Sequence, residues 1–124
     1  MKYYSRQMVK PPDLNAHNNL FGGRLLAWLD EECWIYASCQ LGTTSVVTKY
    51  MSEINFVAGA KQGDIVEFGL QTLKVGRTSI TLRAEARLKF SRKVIIEINE
   101  LVFVCVDDDD RPMAHGKTMA TLES

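Results

Sequence analysis

Apolar positions recur every second residue through most of the chain and every third or fourth residue through one segment only. Alternation is clearest in TSITLRAEARLKF, where Ile80, Leu82, Ala84, Ala86, Leu88 and Phe90 fall on one side and Thr81, Arg83, Glu85, Arg87 and Lys89 on the other. That is the pattern of a strand with one buried face. β-Branched runs of the same kind form VVTKYMSEINFVA, ending at Gly59, IVEFGLQTLKV, ending at Gly76, and VIIEINELVFVCV, ending in a DDDDRP turn. They are longer than the usual strand of about five or six residues. With a short extended lead over Lys2 to Val9, they predict one long antiparallel sheet of about five strands.

The exception is the stretch from Gly22 to Leu41, about five turns of strong helix formers closed by Gly42 and the Thr43, Thr44, Ser45 cluster. Pro11 and Pro12, which withhold backbone donors and fix φ, and a polar loop from Asp13 to Asn19 separate it from the lead. At about 100° per residue, Leu26, Leu29, Cys33 and Ala37 form one stripe, and Leu25, Trp28, Ile35 and Tyr36 spread apolar surface over most of the rest. Such a helix is wrapped by a sheet rather than docked on it. The expectation is an α+β fold whose sheet edges and helix are completed by a second copy of the chain.

Composition narrows the function classes. The 124 residues, 46% hydrophobic and 24% charged, suit one domain over 1–124 with a core of its own. Fifteen basic and fifteen acidic residues cancel, so the broad positive field of a general nucleic-acid binder is missing. Cys33, Cys39 and Cys105 show no metal-ligand spacing and read as reduced core residues of a cytoplasmic protein. No metal is called for. MKYYSRQMVKPPD has no signal-peptide pattern, and no window reaches the roughly 18 apolar residues of a membrane span.

One residue breaks the pattern of the helix. Asp30 lies within about 40° of Leu26 on the helical wheel, among Gly23, Leu26, Cys33 and Trp34, with no basic residue three or four positions away. Burying an unpaired carboxylate costs several kcal/mol or raises its pKa, which points to a use. Gly22 and Gly23 leave unshielded N–H groups at the helix N-terminus, where an oxyanion can be held.

The stretch NAHNNLFGGRLLAWLDEE resembles the signature of the hotdog-fold acyl-CoA thioesterases: Asn, a polar spacer, Phe-Gly-Gly, six residues and Asp. FVAGAKQGD, VGRTSI and FVCVDDDDRPM are similar to later segments of that family, in the same order over roughly residues 8 to 115. Asn18 stands where the family usually has glycine and Gly59 where it commonly has proline. The resemblance implies a hotdog fold, hydrolysis of acyl-CoA without a cofactor, and assembly as a homodimer that goes on to tetramers or hexamers. It implies Asp30 as the general base or nucleophile, the Gly22 and Gly23 amides as the oxyanion site, and Asn15 as an orienting group facing the partner's Asp30. His17 is an assisting candidate in the same loop, and Arg77, Thr78, Ser79, Arg92 and Lys93 are the CoA-binding candidates. Two rival readings are a hotdog hydratase or dehydratase, which needs a positioned histidine such as His17, and a non-catalytic acyl-CoA sensor, which has no need of Asp30.

Overall fold

The computed structural model describes residues 1–122. The helix, α1, spans Gly22–Leu41 as the helical spacing predicts, and Gly42 at φ 71° ends it with its N–H bonded to Ser38 O, a left-handed cap natural for glycine. The strands are β1 (Lys2–Met8), β2 (Val46–Met51), β3 (Ile54–Phe56), β4 (Ile65–Val75), β5 (Ser79–Leu88) and β6 (Val94–Cys105). They form one antiparallel sheet in the order β1-β4-β5-β6-β2, with β3 also paired to β6. The sheet and the single long helix make up the hotdog architecture.

The sheet has six strands because VVTKYMSEINFVA is interrupted. Ser52 N–H donates to Glu100 O and Glu100 N–H to the Ser52 hydroxyl, so the chain kinks at Ser52–Glu53 and resumes on the same neighbour. Phe90 is a second departure from the alternation. β5 stops at Leu88, where Lys93 O and Leu88 N–H close the turn, and Phe90 lies beyond it at 85% exposure.

The inner face of the sheet carries Val66, Phe68, Leu70, Ile80, Leu82, Ala84, Ala86, Ile96, Ile98, Leu101 and Phe103, all buried. Against it α1 turns Leu25, Leu29, Cys33 and Ala37. Leu25 thus takes the place expected of Leu26, which is half-buried toward one side. Cys33 and Cys105 are core residues, but Cys39 is exposed on the outer surface of the helix. The helix has two distinguishable flanks. Tyr36 faces the β1 side, with its hydroxyl 2.6 Å from Thr72 Oγ1 and its ring 5.3 Å from that of Tyr4. Trp34 faces the other side, donating its indole N–H to Val46 O of β2 at 2.8 Å.

The outer face is not simply solvated. Glu67 and Glu85 are buried there under Tyr3, Arg6 and Arg87. Arg87 bonds Glu67 at 2.7 Å and stacks 3.6 Å from the centre of the Tyr3 ring. Gly69 makes room for that ring, since a Cβ there would lie 2.7 Å from it.

Candidate active site

Asp30 sits one helical turn before Trp34, so the bond from Trp34 to Val46 aims the Asp30 flank at edge strand β2. Its Oδ1 is buried and has no hydrogen-bond partner. Desolvation raises its pKa above the ordinary aspartate value, and no other cause contributes. A base of this kind is held ready by the absence of partners. Cys33 beneath it offers no competing nucleophile: burial, then the Asp30 and Glu32 charges, push its thiol far up and keep it protonated.

The loop before α1 is closed by Asn15. Its Oδ1 accepts from His17 N–H at 2.9 Å and Asn19 N–H at 3.1 Å, while the Asn15 and Asn18 N–H groups bond Asn19 O and Asn15 O. The Asn15 carboxamide therefore turns its acceptor inward and keeps its NH2 as the donor end. Asn18 adopts φ 60°, the left-handed backbone in which Asn replaces glycine with least strain. His17 is exposed at the loop tip, and among the described residues its backbone N–H, not its ring, makes the bond that places it.

A residue overlooked in the sequence fixes the base of this loop. Asp13 is buried, accepts from Lys10 N–H at 2.9 Å, lies 3.5 Å from Arg24 Nε, and takes Phe21 N–H on its carbonyl. Its signal was an acid straight after two prolines, where a capping side chain is favoured.

At the helix start, Phe21 gives no side-chain cap and the first turn holds no acid, so the Gly22 and Gly23 amides keep the unpaired N–H groups of a helix terminus. A Cβ on Gly22 would lie 3.3 Å from the Phe56 ring, so the glycine lets that ring close over the terminus. Gly23 and Asp30 are seven residues apart, a rise of about 10 Å. One reacting carbonyl needs donors and base each within about 3 Å. Along one helix that rise is a gap which the Asp30 side chain, leaning toward the helix N-terminus, and the reacting group would together have to span.

The basic candidates separate. Arg77, Thr78 and Ser79 form the β4–β5 turn, beside Val46 and the C-terminal half of α1, whereas Arg92 and Lys93 form the β5–β6 turn near the helix N-terminus. Ten-residue β5 lies between them, about 30 Å. Ser79 folds its hydroxyl back over Gly76, where a Cβ would lie 2.5 Å from Oγ. Thr48 was also passed over. It pairs with buried Phe103 and so belongs to the inner face, yet it is exposed at the β2 edge toward which Asp30 points.

Among the described residues no group of three His, Cys, Asp or Glu side chains is gathered to hold a metal. The DDDD run is a turn in which Asp107 Oδ1 accepts from Asp109 and Arg111 N–H. No helix of the described residues is long and apolar enough to cross a membrane.

The chain is similar to known proteins in sequence and in fold. The thioesterase superfamily pattern matches residues 17–95. An uncharacterized acyl-CoA thioester hydrolase of Zymomonas mobilis is 33% identical over 110 residues, covering 86% of this chain and 73% of its own. The crystal structure of a hexameric thioesterase from Yersinia pestis superposes with TM-score 0.82 at 28% identity, covering 99% of this chain and 96% of that one. An acyl-CoA hydrolase from Staphylococcus aureus, in complex with butyryl coenzyme A, coenzyme A and coenzyme A disulfide, gives TM-score 0.78 at 29% identity over 91% of this chain and 67% of that one. The aspartate and the asparagine replaced by alanine in variants of that hydrolase are fifteen positions apart, the spacing of Asn15 and Asp30 here.

Proposed function

The chain belongs to the thioesterase superfamily and is an acyl-CoA thioester hydrolase, and from that premise we propose that its catalyst is Asp30 working with the helix N-terminus of a second copy. The observation that carries this reading is Asp30 Oδ1, a buried carboxylate oxygen without a hydrogen-bond partner, on the helix flank that Trp34 joins to edge strand β2.

In one course Asp30 takes a proton from water, whose oxygen attacks the thioester carbon. In the other an Asp30 oxygen attacks directly, giving a mixed anhydride that water then cleaves. Both pass through a tetrahedral oxyanion, which the partner's Gly22 and Gly23 amides stabilise. Both expel the CoA thiolate, and the proton taken from water restores the thiol. Asn15 of the partner orients water or substrate through its NH2.

A two-fold pairing along β2 accounts for the geometry. Antiparallel edges set the Val46 end of one subunit beside the Met51 end of the other, so each end of the joint sheet receives one helix N-terminus and the other subunit's β4–β5 turn. Arg77 and Thr78 of one chain then join Arg92 and Lys93 of the other around the CoA phosphates, although they are about 30 Å apart within a chain. Dimers of this kind assemble further into hexamers such as those of the solved relatives. The free cysteines fit a cytoplasmic place of work.

Thiol release from short-chain, long-chain and aromatic acyl-CoA, followed with a thiol dye, tests the activity. Release from at least one ester, lost in Asp30→Asn, is expected. Binding of the whole panel with release from none would make the protein an acyl-CoA sensor instead.

A further inference from the structure

The chain beyond residue 95, where the superfamily pattern ends, returns across the sheet and meets the β4–β5 turn. Val106 and Pro112 bridge at its root, and Met113 N–H donates to Cys105 O. His115 then lies half-buried along Arg77, Thr78 and Ser79.

The carbonyls of Arg77, Thr78 and Ser79 are all engaged. Arg77 O accepts from His115 N–H at 3.3 Å, Thr78 O from Cys105 N–H at 2.8 Å, and Ser79 O from Gly76 N–H at 2.9 Å. His115 Nε2 also lies 3.1 Å from Ser79 O. Lys117 N–H donates to Nδ1 at 2.9 Å, so Nδ1 is an acceptor and Nε2 carries the proton that goes to Ser79 O. With these three acceptors engaged, the segment is left to present donors and the Arg77 cation, the groups a phosphate prefers. Arg77 is exposed there.

We infer that His115 is a positioning residue for nucleotide recognition: its ring and backbone hold Arg77–Thr78–Ser79 in the shape that offers Arg77 and Thr78 to the phosphates of acyl-CoA. The inference rests on the proposed reading of that turn as part of the CoA site. His115 touches neither substrate nor the reacting bond, so its effect belongs in KM and not in kcat.

The experiment compares KM and kcat for one acyl group carried on CoA and on N-acetylcysteamine, which lacks the nucleotide. His115→Ala is expected to raise KM for the CoA ester roughly fivefold, what an ordinary hydrogen bond is worth, with kcat and the KM of the small thioester unmoved. Two further variants separate the bonds of the ring. His115→Gln keeps a donor at the Nε2 position for Ser79 O, and His115→Asn keeps an acceptor at the Nδ1 position for Lys117 N–H. Gln nearer to the parent than Asn supports the inference, and this pair decides the matter if the alanine variant fails to fold. Rescue by Asn and not Gln, or equal changes on both substrates, would make His115 a tail anchor only and overturn it. Arg77→Ala is run alongside. If it leaves KM for the CoA ester unchanged, the reading of the turn fails and takes the inference with it; if Arg77→Ala responds and His115→Ala does not, the inference alone fails.

Discussion

The Trp34 indole and the Val46 carbonyl, 2.8 Å apart, join the helix flank that carries Asp30 to the edge strand β2. Trp34→Phe keeps the ring against the core and leaves Val46 O without its donor. A lost hydrogen bond of about 1 kcal/mol lowers the melting temperature of a domain this size by roughly 4 °C. If the bond also aims Asp30, kcat falls by more than the loss of folded protein accounts for. Unchanged kcat in a variant that melts earlier would limit the bond to stability.

Asp30→Asn keeps the shape and removes the basic oxygen, so thiol release should fall by at least about 100-fold. The raised pKa of Asp30 sets the signs. A carboxylate that burial disfavours weakens the fold wherever it is ionised, and that burden lifts as pH falls through the raised folded value toward the unfolded value of about 3.9. Asp30→Asn should therefore melt no earlier than the parent at pH 7, and the difference should close in acid. Turnover by the parent should fail on the acid side at a pH above 3.9, because the protonated group is no longer a base. Near-normal kcat in Asp30→Asn would leave the proposal without its catalyst.

Much of this site was legible because its signals are local. Helix spacing placed α1 from Gly22 to Leu41, and the same wheel isolated Asp30 among apolar neighbours. Asn18 stands where the resembled family usually has glycine, and it takes the left-handed backbone that asparagine tolerates. What the sequence hid depends on pairing. That Arg77 and Arg92 end up at opposite ends of β5 follows from where each turn closes, and the burial of Glu67 follows from register, which sets Arg6 opposite it on β1 and Arg87 on β5. Likewise His115 reads as a tail residue until β6 and the β4–β5 turn bring it a partner at Ser79.

The Glu67 cluster gives an acid-stability prediction. Burial would raise its carboxyl, but the hydrogen bond and charge of Arg87, with Lys89 and Arg6, outweigh burial and hold it below the ordinary glutamate value. A depressed pKa stabilises the fold above the unfolded value of about 4.3 and ceases to do so as pH falls through the lower folded value. Melting temperature should therefore drop more steeply below pH 4.3 in the parent than in Glu67→Gln, which has nothing to titrate there. Arg87→Leu should destabilise most at neutral pH, where it strands a buried carboxylate. Parallel acid limbs for parent and Glu67→Gln would mean that the cluster contributes nothing through ionisation.

The open edge of β2 carries the last test. Val47 and Tyr50 are 42% and 50% exposed on that strand, and they pair with Val104 and Val102 on either side of an irregularity between Thr48 and Tyr50. An uncovered edge with apolar side chains and one lysine is a surface built to be paired. In the proposed site Asp30 works with the Gly22 and Gly23 amides of the second copy, so catalysis there needs that pairing. Tyr50→Glu sets a charge in the apolar seam of that pairing and should turn the oligomer into 14 kDa monomers by light scattering. Circular dichroism should stay native, and thiol release should fall by a factor similar to that of Asp30→Asn. Folded monomers that keep the parent's kcat would show that one chain holds the whole site, and the shared-site proposal would be wrong.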